Sequence, residues 1–208
     1  MTDSFTLCCK NSLKAVLGLL LVWLLLASTV AHAQVATEIS RLRVERTDDE
    51  WQLSAHLQFE ISSAVEEALV KGIPMVFVIS ADVLKERWYW YDKKLVATER
   101  FMRLAYQPLT RRWRLNVSSG PAVSSGVGLA LNQSFDTLAQ ALSAIKRIAK
   151  WKIADAGDLD PAGKYKLDFR FKLDLSQLPR PFQIGALGQS DWDISAGVLT
   201  PLVVEPAK

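Results

Sequence analysis

Twelve consecutive residues constrain the fold more than any other stretch of the chain. From Lys164 to Leu175 it reads KYKLDFRFKLDL, so that Tyr165, Leu167, Phe169, Phe171, Leu173 and Leu175 alternate with six charged residues. So strict a two-residue period belongs to a β-strand with one buried and one wet face, because successive side chains leave a pleated strand on opposite sides. WQLSAHLQFE, 51–60, repeats the pattern with Trp51, Leu53, Ala55, Leu57 and Phe59. Strands wet on one face point to antiparallel sheets, since strands buried on both faces read as continuous apolar runs. Further strand candidates are 73–84, 86–92, 95–106, 111–118, 126–131 and 192–199, with Asp92-Lys93-Lys94 as a turn.

Two segments break the β pattern. In SAVEEALVKG, Ser63 and Glu66 stand at capping-box spacing and Gly72 supplies a stop, which predicts a short helix. SFDTLAQALSAIKRIAKW, 134–151, carries Leu138, Leu142, Ile145 and Ile148 at helical spacing, with Asp136 early and Lys146, Arg147 and Lys150 late, as the helix dipole favours. ADAGDLDPAGK reads as a turn-rich connection and 176–192 as an irregular surface segment. The expected fold is mainly β (α+β): a single antiparallel β-sandwich-like domain with two packed helices.

The first residues read as an address. Lys10 and Lys14 precede an uncharged run from Ala15 to Ala31, which ends in Ala31-His32-Ala33. Small residues at those positions suit signal peptidase, so 1–33 is expected to be a signal peptide cleaved after Ala33, with 34–208 the β-rich domain in the periplasm. An uncleaved inner-membrane anchor is the alternative, because the run lies near the lower length limit for spanning a bilayer. Cys8 and Cys9 are the only cysteines, so the mature chain has neither disulfides nor thiolates. Without Lys10, Lys14 and Asp3, twenty-three bases face twenty-one acids, a balance that gives no reason to expect nucleic acid.

Few residues suggest chemistry. His56 is the mature chain's only histidine and falls on the wet face of 51–60, where it is expected to be merely solvated. With one His and no Cys, transition-metal sites of ordinary composition are not expected, nor is a cofactor. Asp155, Asp158 and Asp160 lack the spacing of a calcium loop and suit a turn. The richest stretch is KERWYWYDKK, 85–94, where Arg87, Trp88, Tyr89, Trp90 and Tyr91 follow one another. Arg111, Arg112, Trp113 and Arg114 in LTRRWRL offer a cross-strand partner, and the two runs together make either a rigid aromatic hairpin or a docking platform. In SQLPRPFQ, Pro179 and Pro181 stiffen the chain ahead of Phe182, which is expected to plug the end of the core or, failing that, to form a polyproline-like ligand.

RWYWYD, LTRRWRL, SFDTLAQALSAIKRIAKW and LPRPFQ, in this order, resemble a family of exported proteins from Gram-negative bacteria described as domain of unknown function 4390. The resemblance covers about residues 40 to 200, and the C-terminal TPLVVEPAK departs from it by lacking a tryptophan-bearing strand. It implies an exported envelope domain, often encoded beside a membrane-bound sensor histidine kinase of the nitrogen-regulation type, and it implies no catalytic set. The expectation is therefore a non-catalytic periplasmic accessory module that contacts a membrane protein such as a sensor kinase. The alternative is a carboxylate-based envelope hydrolase or a carbohydrate-binding protein.

Overall fold

A computed structural model of the chain describes residues 37–87, 89, 92–119, 131–160, 163–186 and 188–206. The signal-like stretch and its Ala33 boundary lie outside these residues. Among the described residues, ten strands form two sheets: β1 (Glu38–Arg46), β2 (Glu50–Gln58), β3 (Met75–Lys85), β4 (Lys93–Gln107), β5 (Arg112–Ser118), β6 (Leu131–Phe135), β7 (Arg147–Asp155), β8 (Tyr165–Leu173), β9 (Ser195–Pro201) and β10 (Val204–Pro206). One sheet has the order β10-β1-β2-β7 and the other β6-β5-β4-β3-β8-β9. Every pairing is antiparallel except that of β10 with β1, through which the C-terminal stretch crosses from one sheet to the other.

The two alternating stretches are β8 and β2. Tyr165, Leu167, Phe169, Phe171 and Leu173 are buried from one sheet, and Trp51, Leu53, Ala55 and Leu57 from the other. Phe59, just past the end of β2, reaches across to Phe77 and Phe171, with ring centroids 5.6 and 5.0 Å away. Burial of each such side chain contributes about 1.5–3 kcal/mol. Strand β3 is central in its sheet and buries Val76 and Val78 on its outer face as well as Met75, Phe77 and Ile79 within. That accounts for its nearly continuous apolar sequence.

The end of the sandwich where β3 begins and β4 ends, the lower end, carries the three α-helices of the described residues: α1 (Ser63–Val70) between β2 and β3, α2 (Leu138–Lys146) between β6 and β7, and α3 (Arg180–Ala186) after β8. Gly72 stops α1 at φ +86°, as expected. The N-cap is Ser62, whose Oγ accepts from the Val65 N–H at 3.3 Å, and not a Ser63–Glu66 capping box.

The second helix is shorter than its spacing implied. It ends at Lys146, and Arg147, Ile148 and Lys150 belong to β7. Lys150 sits at φ +46° in a bulge, so that Ile148 pairs with Ala55 and Trp151 with Leu53. One extra residue turns the strand period of two into a spacing of three, which in sequence looks helical. A bulge also hides β1. Arg41, at φ +52°, interrupts the register between Ser40 and Arg43, so Ile39, Leu42 and Val44 show no clean alternation. Both bulges flank β2 at the level of Ser54 and Ala55, and the Lys150 N–H donates to Ser54 Oγ at 3.2 Å.

Of 86–92, the described residues Glu86, Arg87, Tyr89 and Asp92 lie outside any strand, and Lys93 and Lys94, expected in a turn with Asp92, open β4. Strand β3 continues to Lys85, which pairs with Lys93, the first residue of β4, so the aromatic run itself connects the two strands. The candidate at 126–131 lies outside the described residues except for Leu131, which opens β6.

Candidate functional site

At the upper end, opposite the helices, Lys166 holds both feet of the aromatic connection. Its Nζ lies 3.0 Å from Glu86 Oε1 and 3.4 Å from Asp92 Oδ2. These hydrogen bonds, with Glu86 first, raise the Lys166 pKa above the ordinary lysine value. The clamp is fully present below that ordinary value and is lost only as pH climbs through the raised one, so it persists across the neutral range. Tyr89, between the two feet, is 70% exposed, and Arg87 is exposed as well. Trp88, Trp90 and Tyr91 lie outside the described residues.

Trp113 is not part of that surface. It is buried in β5, paired with Tyr106 of β4, and their rings lie 4.8 Å apart in a tilted contact. Tyr106 lies thirteen steps along β4 from Lys93, a span of about 43 Å at roughly 3.3 Å per residue. The run RWYWYD and the run LTRRWRL therefore stand at opposite ends of one long strand. The sequence suggested one surface; the register makes two.

The lower end gathers the remaining candidates. Strand β3 starts at Met75, opposite Leu104, so the β4–β5 hairpin, Ala105–Gln107 with Arg112–Arg114, runs on past the end of β3, flanked by β6 at Trp113 and Arg114. Its tip is Pro108–Arg111, where Leu109 is fully exposed and Arg111 takes φ +51° to close the turn. The Arg112 guanidinium donates to Asp136 Oδ1 at 2.8 and 3.1 Å, while Arg114 is exposed on the sheet's outer face.

SQLPRPFQ belongs to this end too, but as a helix. The expected irregular segment 176–192 contains a 3-10 turn at Leu175–Gln177, α3, and a second 3-10 turn at Ser190–Trp192. The Phe182 N–H donates to the Pro179 carbonyl at 2.9 Å, and Pro181 falls in the first helical turn, where a missing N–H costs nothing. The polyproline-ligand alternative is thereby excluded. Phe182 packs half-buried against the core, as a plug would, whereas Ile184 is 77% exposed. Beside α3, Leu173, Ala186, Trp192 and Ile194 floor a groove of about 490 Å³ rimmed by Lys172 and Asp193. Strand β1 begins opposite Gln58, just before α1, so the chain also enters the domain at this lower end.

The fold brings two carboxylates side by side: Asp82 of β3 is paired with Asp168 of β8. Asp82 is buried, with Lys94 Nζ at 2.6 Å and an Arg170 nitrogen at 3.6 Å, and Arg170 also hydrogen-bonds Asp168. That bond raises the Arg170 pKa. Each carboxylate thus carries a cation on an open sheet, an arrangement that ties three strands together. Because Lys94 and Arg170 are half exposed and can rehydrate, Asp82→Leu is expected to change stability by less than about 1 kcal/mol. Lys94→Met, which leaves the buried carboxylate short of a partner, is expected to cost about 1–2 kcal/mol. Urea denaturation of the two variants checks this, and the reverse order would overturn it. His56 is exposed on β2, and Asp155 and Asp158 close a turn through the Asp155 N–H and Asp158 Oδ2 at 2.9 Å.

Among known proteins, the model of the family described as "Domain of unknown function (DUF4390)" matches residues 34–200. No curated protein and no solved structure matches the chain.

Proposed function

The chain belongs to the DUF4390 family, and we propose that it works as an exported, non-catalytic accessory module that docks a membrane protein of the cell envelope, such as a sensor histidine kinase. The observation that carries this reading is Leu109, fully exposed at the tip of the β4–β5 hairpin, which reaches past the end of β3 and has Arg111 and Arg112 close behind Leu109. An apolar side chain held in water on a rigid hairpin gains by desolvation when a partner covers it, and neighbouring arginines are frequent binding hot spots. Ile184 of α3 is exposed at the same end, which adds apolar area to the contact.

Photocrosslinking in cells tests the reading, with a crosslinker at Thr110 and the native leader retained. One dominant membrane protein should be captured by the wild type and lost in Leu109→Asp/Ile184→Asp, while the melting temperature of that variant stays within about 2 °C because both side chains are solvated. Capture that survives the double substitution would sink this choice of surface.

A second reading, a carbohydrate platform at 86–92, is supported by the 70% exposure of Tyr89 above the Lys166 clamp. It predicts retention of the wild type, but not of Tyr89→Ala, on immobilised peptidoglycan fragments.

A further inference from the structure

On the outer face of the six-stranded sheet, the register sets side chains in rows. Arg114 stands between Ala105 and Ser134; Arg103 between Val76 and Asn116; Lys172 and Phe101 on either side of Val78. One step higher come Arg170, Ser80 and Glu99, and above them Asp168 and Asp82. In the upper rows every cation has an acid, with Lys94 and Arg170 on Asp82, Arg170 on Asp168, and Lys166 on Glu86 and Asp92, and Glu99 adds an exposed carboxylate. The lower rows differ. Arg103, Arg114 and Lys172 are exposed and have no ion pair among the described residues, while at the rim Arg112 is occupied by Asp136.

We infer that the segment of the partner taken by this module is an acidic peptide stretch that lies across the lower outer face, over Arg103, Arg114 and Lys172. This rests on the docking reading above and adds the partner's chemistry to it. Three cations spread over four adjacent strands, with half-buried Phe101 among them and Val76 and Val78 packed beneath, match an extended chain that carries carboxylates. The rows above, with their cations paired and Glu99 exposed, would not attract such a segment, so charge complementarity also sets where on the face it lies. The patch adjoins the hairpin that carries Leu109, since Arg114 sits on that hairpin.

The probe is a fluorescein-labelled peptide of alternating Glu and Val, titrated against the folded domain by fluorescence anisotropy. Arg103→Glu/Arg114→Glu/Lys172→Glu should weaken binding by at least about tenfold, as reversal of facing charges does. Lys85→Glu/Lys93→Glu, at the upper end of the same sheet, should leave it within about twofold, the scale of a screened distant charge. Equal loss in both variants would mean that net charge and not this face binds the peptide, and would overturn the inference. So would binding confined to phosphatidylglycerol vesicles, which would assign the patch to lipid. If the triple reversal does not fold by circular dichroism, Arg103→Gln/Arg114→Gln/Lys172→Gln replaces it with the same expected direction. In the cellular experiment, a partner captured equally by wild type and triple variant overturns the acidic-segment inference and leaves the docking reading standing. Absence of any captured partner sinks the docking reading, whatever the peptide does.

Discussion

Replacing Phe59 by alanine is expected to destabilise the domain by about 3–5 kcal/mol, the range for removing a large ring from a packed core. Phe59 is 1% exposed and lies within 5.0–5.6 Å of Phe171 and Phe77, which stack on each other at 5.8 Å. It comes from the segment joining the four-stranded sheet to α1, whereas its two partners come from the centre of the six-stranded sheet. The cavity would therefore open between the sheets, where neither can collapse without disturbing a central strand. Lys146 Nζ, 5.2 Å from the ring, would lose its cation–π partner as well. For a domain of this size each kcal/mol moves the melting temperature by roughly 2–4 °C, so the drop should be about 6–20 °C. A scanning calorimetry or urea measurement that finds less than about 1 kcal/mol would refute the assignment of this ring to the inter-sheet core.

The second large effect concerns Trp113. Buried aromatics remove about 150–250 Å² from water each, and Trp113 adds a ring contact to Tyr106, so Trp113→Ala should also cost about 3–5 kcal/mol. Tyr89→Ala, at a side chain 70% exposed, should stay within about 0.5 kcal/mol of the wild type. The pair of measurements separates aromatic residues that hold the sheet from those presented to solvent. If Tyr89→Ala proved the more destabilising, the upper connection would have to be packed into the fold, and the division between the two ends would fail.

Much of the architecture is legible without coordinates, and the reasons are local. In β2 and β8 a wet face and a buried face impose a period of two on every side chain, and no bulge disturbs β8 over its pairing with β3. Short-range stops are equally readable, as at Gly72, whose positive φ suits a residue without Cβ. The misreadings cluster where one added residue shifts the phase. At Lys150 the bulge makes a strand imitate a helix, and at Arg41 it erases the alternation of β1. The helix at Arg180–Ala186 was hidden for a different reason: two prolines suggest an extended chain, yet both sit where a helix start tolerates them.

The candidate site was less legible than the fold. RWYWYD and LTRRWRL share a composition of aromatics and arginines, and nothing in composition says that β4 holds them about 43 Å apart. Nor does sequence distinguish Arg114, exposed and unpaired among the described residues, from Arg112, held by Asp136 from the adjacent strand. By itself the sequence determined the family, the β-rich class, the faces of its clearest strands and the absence of cysteine chemistry after residue 33, because each of these depends on residue identity or on near neighbours. Only the tertiary structure decided which charges are compensated, which aromatics are buried and which runs share an end. Those properties depend on strand order and register, which bring together residues as distant in sequence as Asp82 and Asp168 and which a single bulge can shift by one residue.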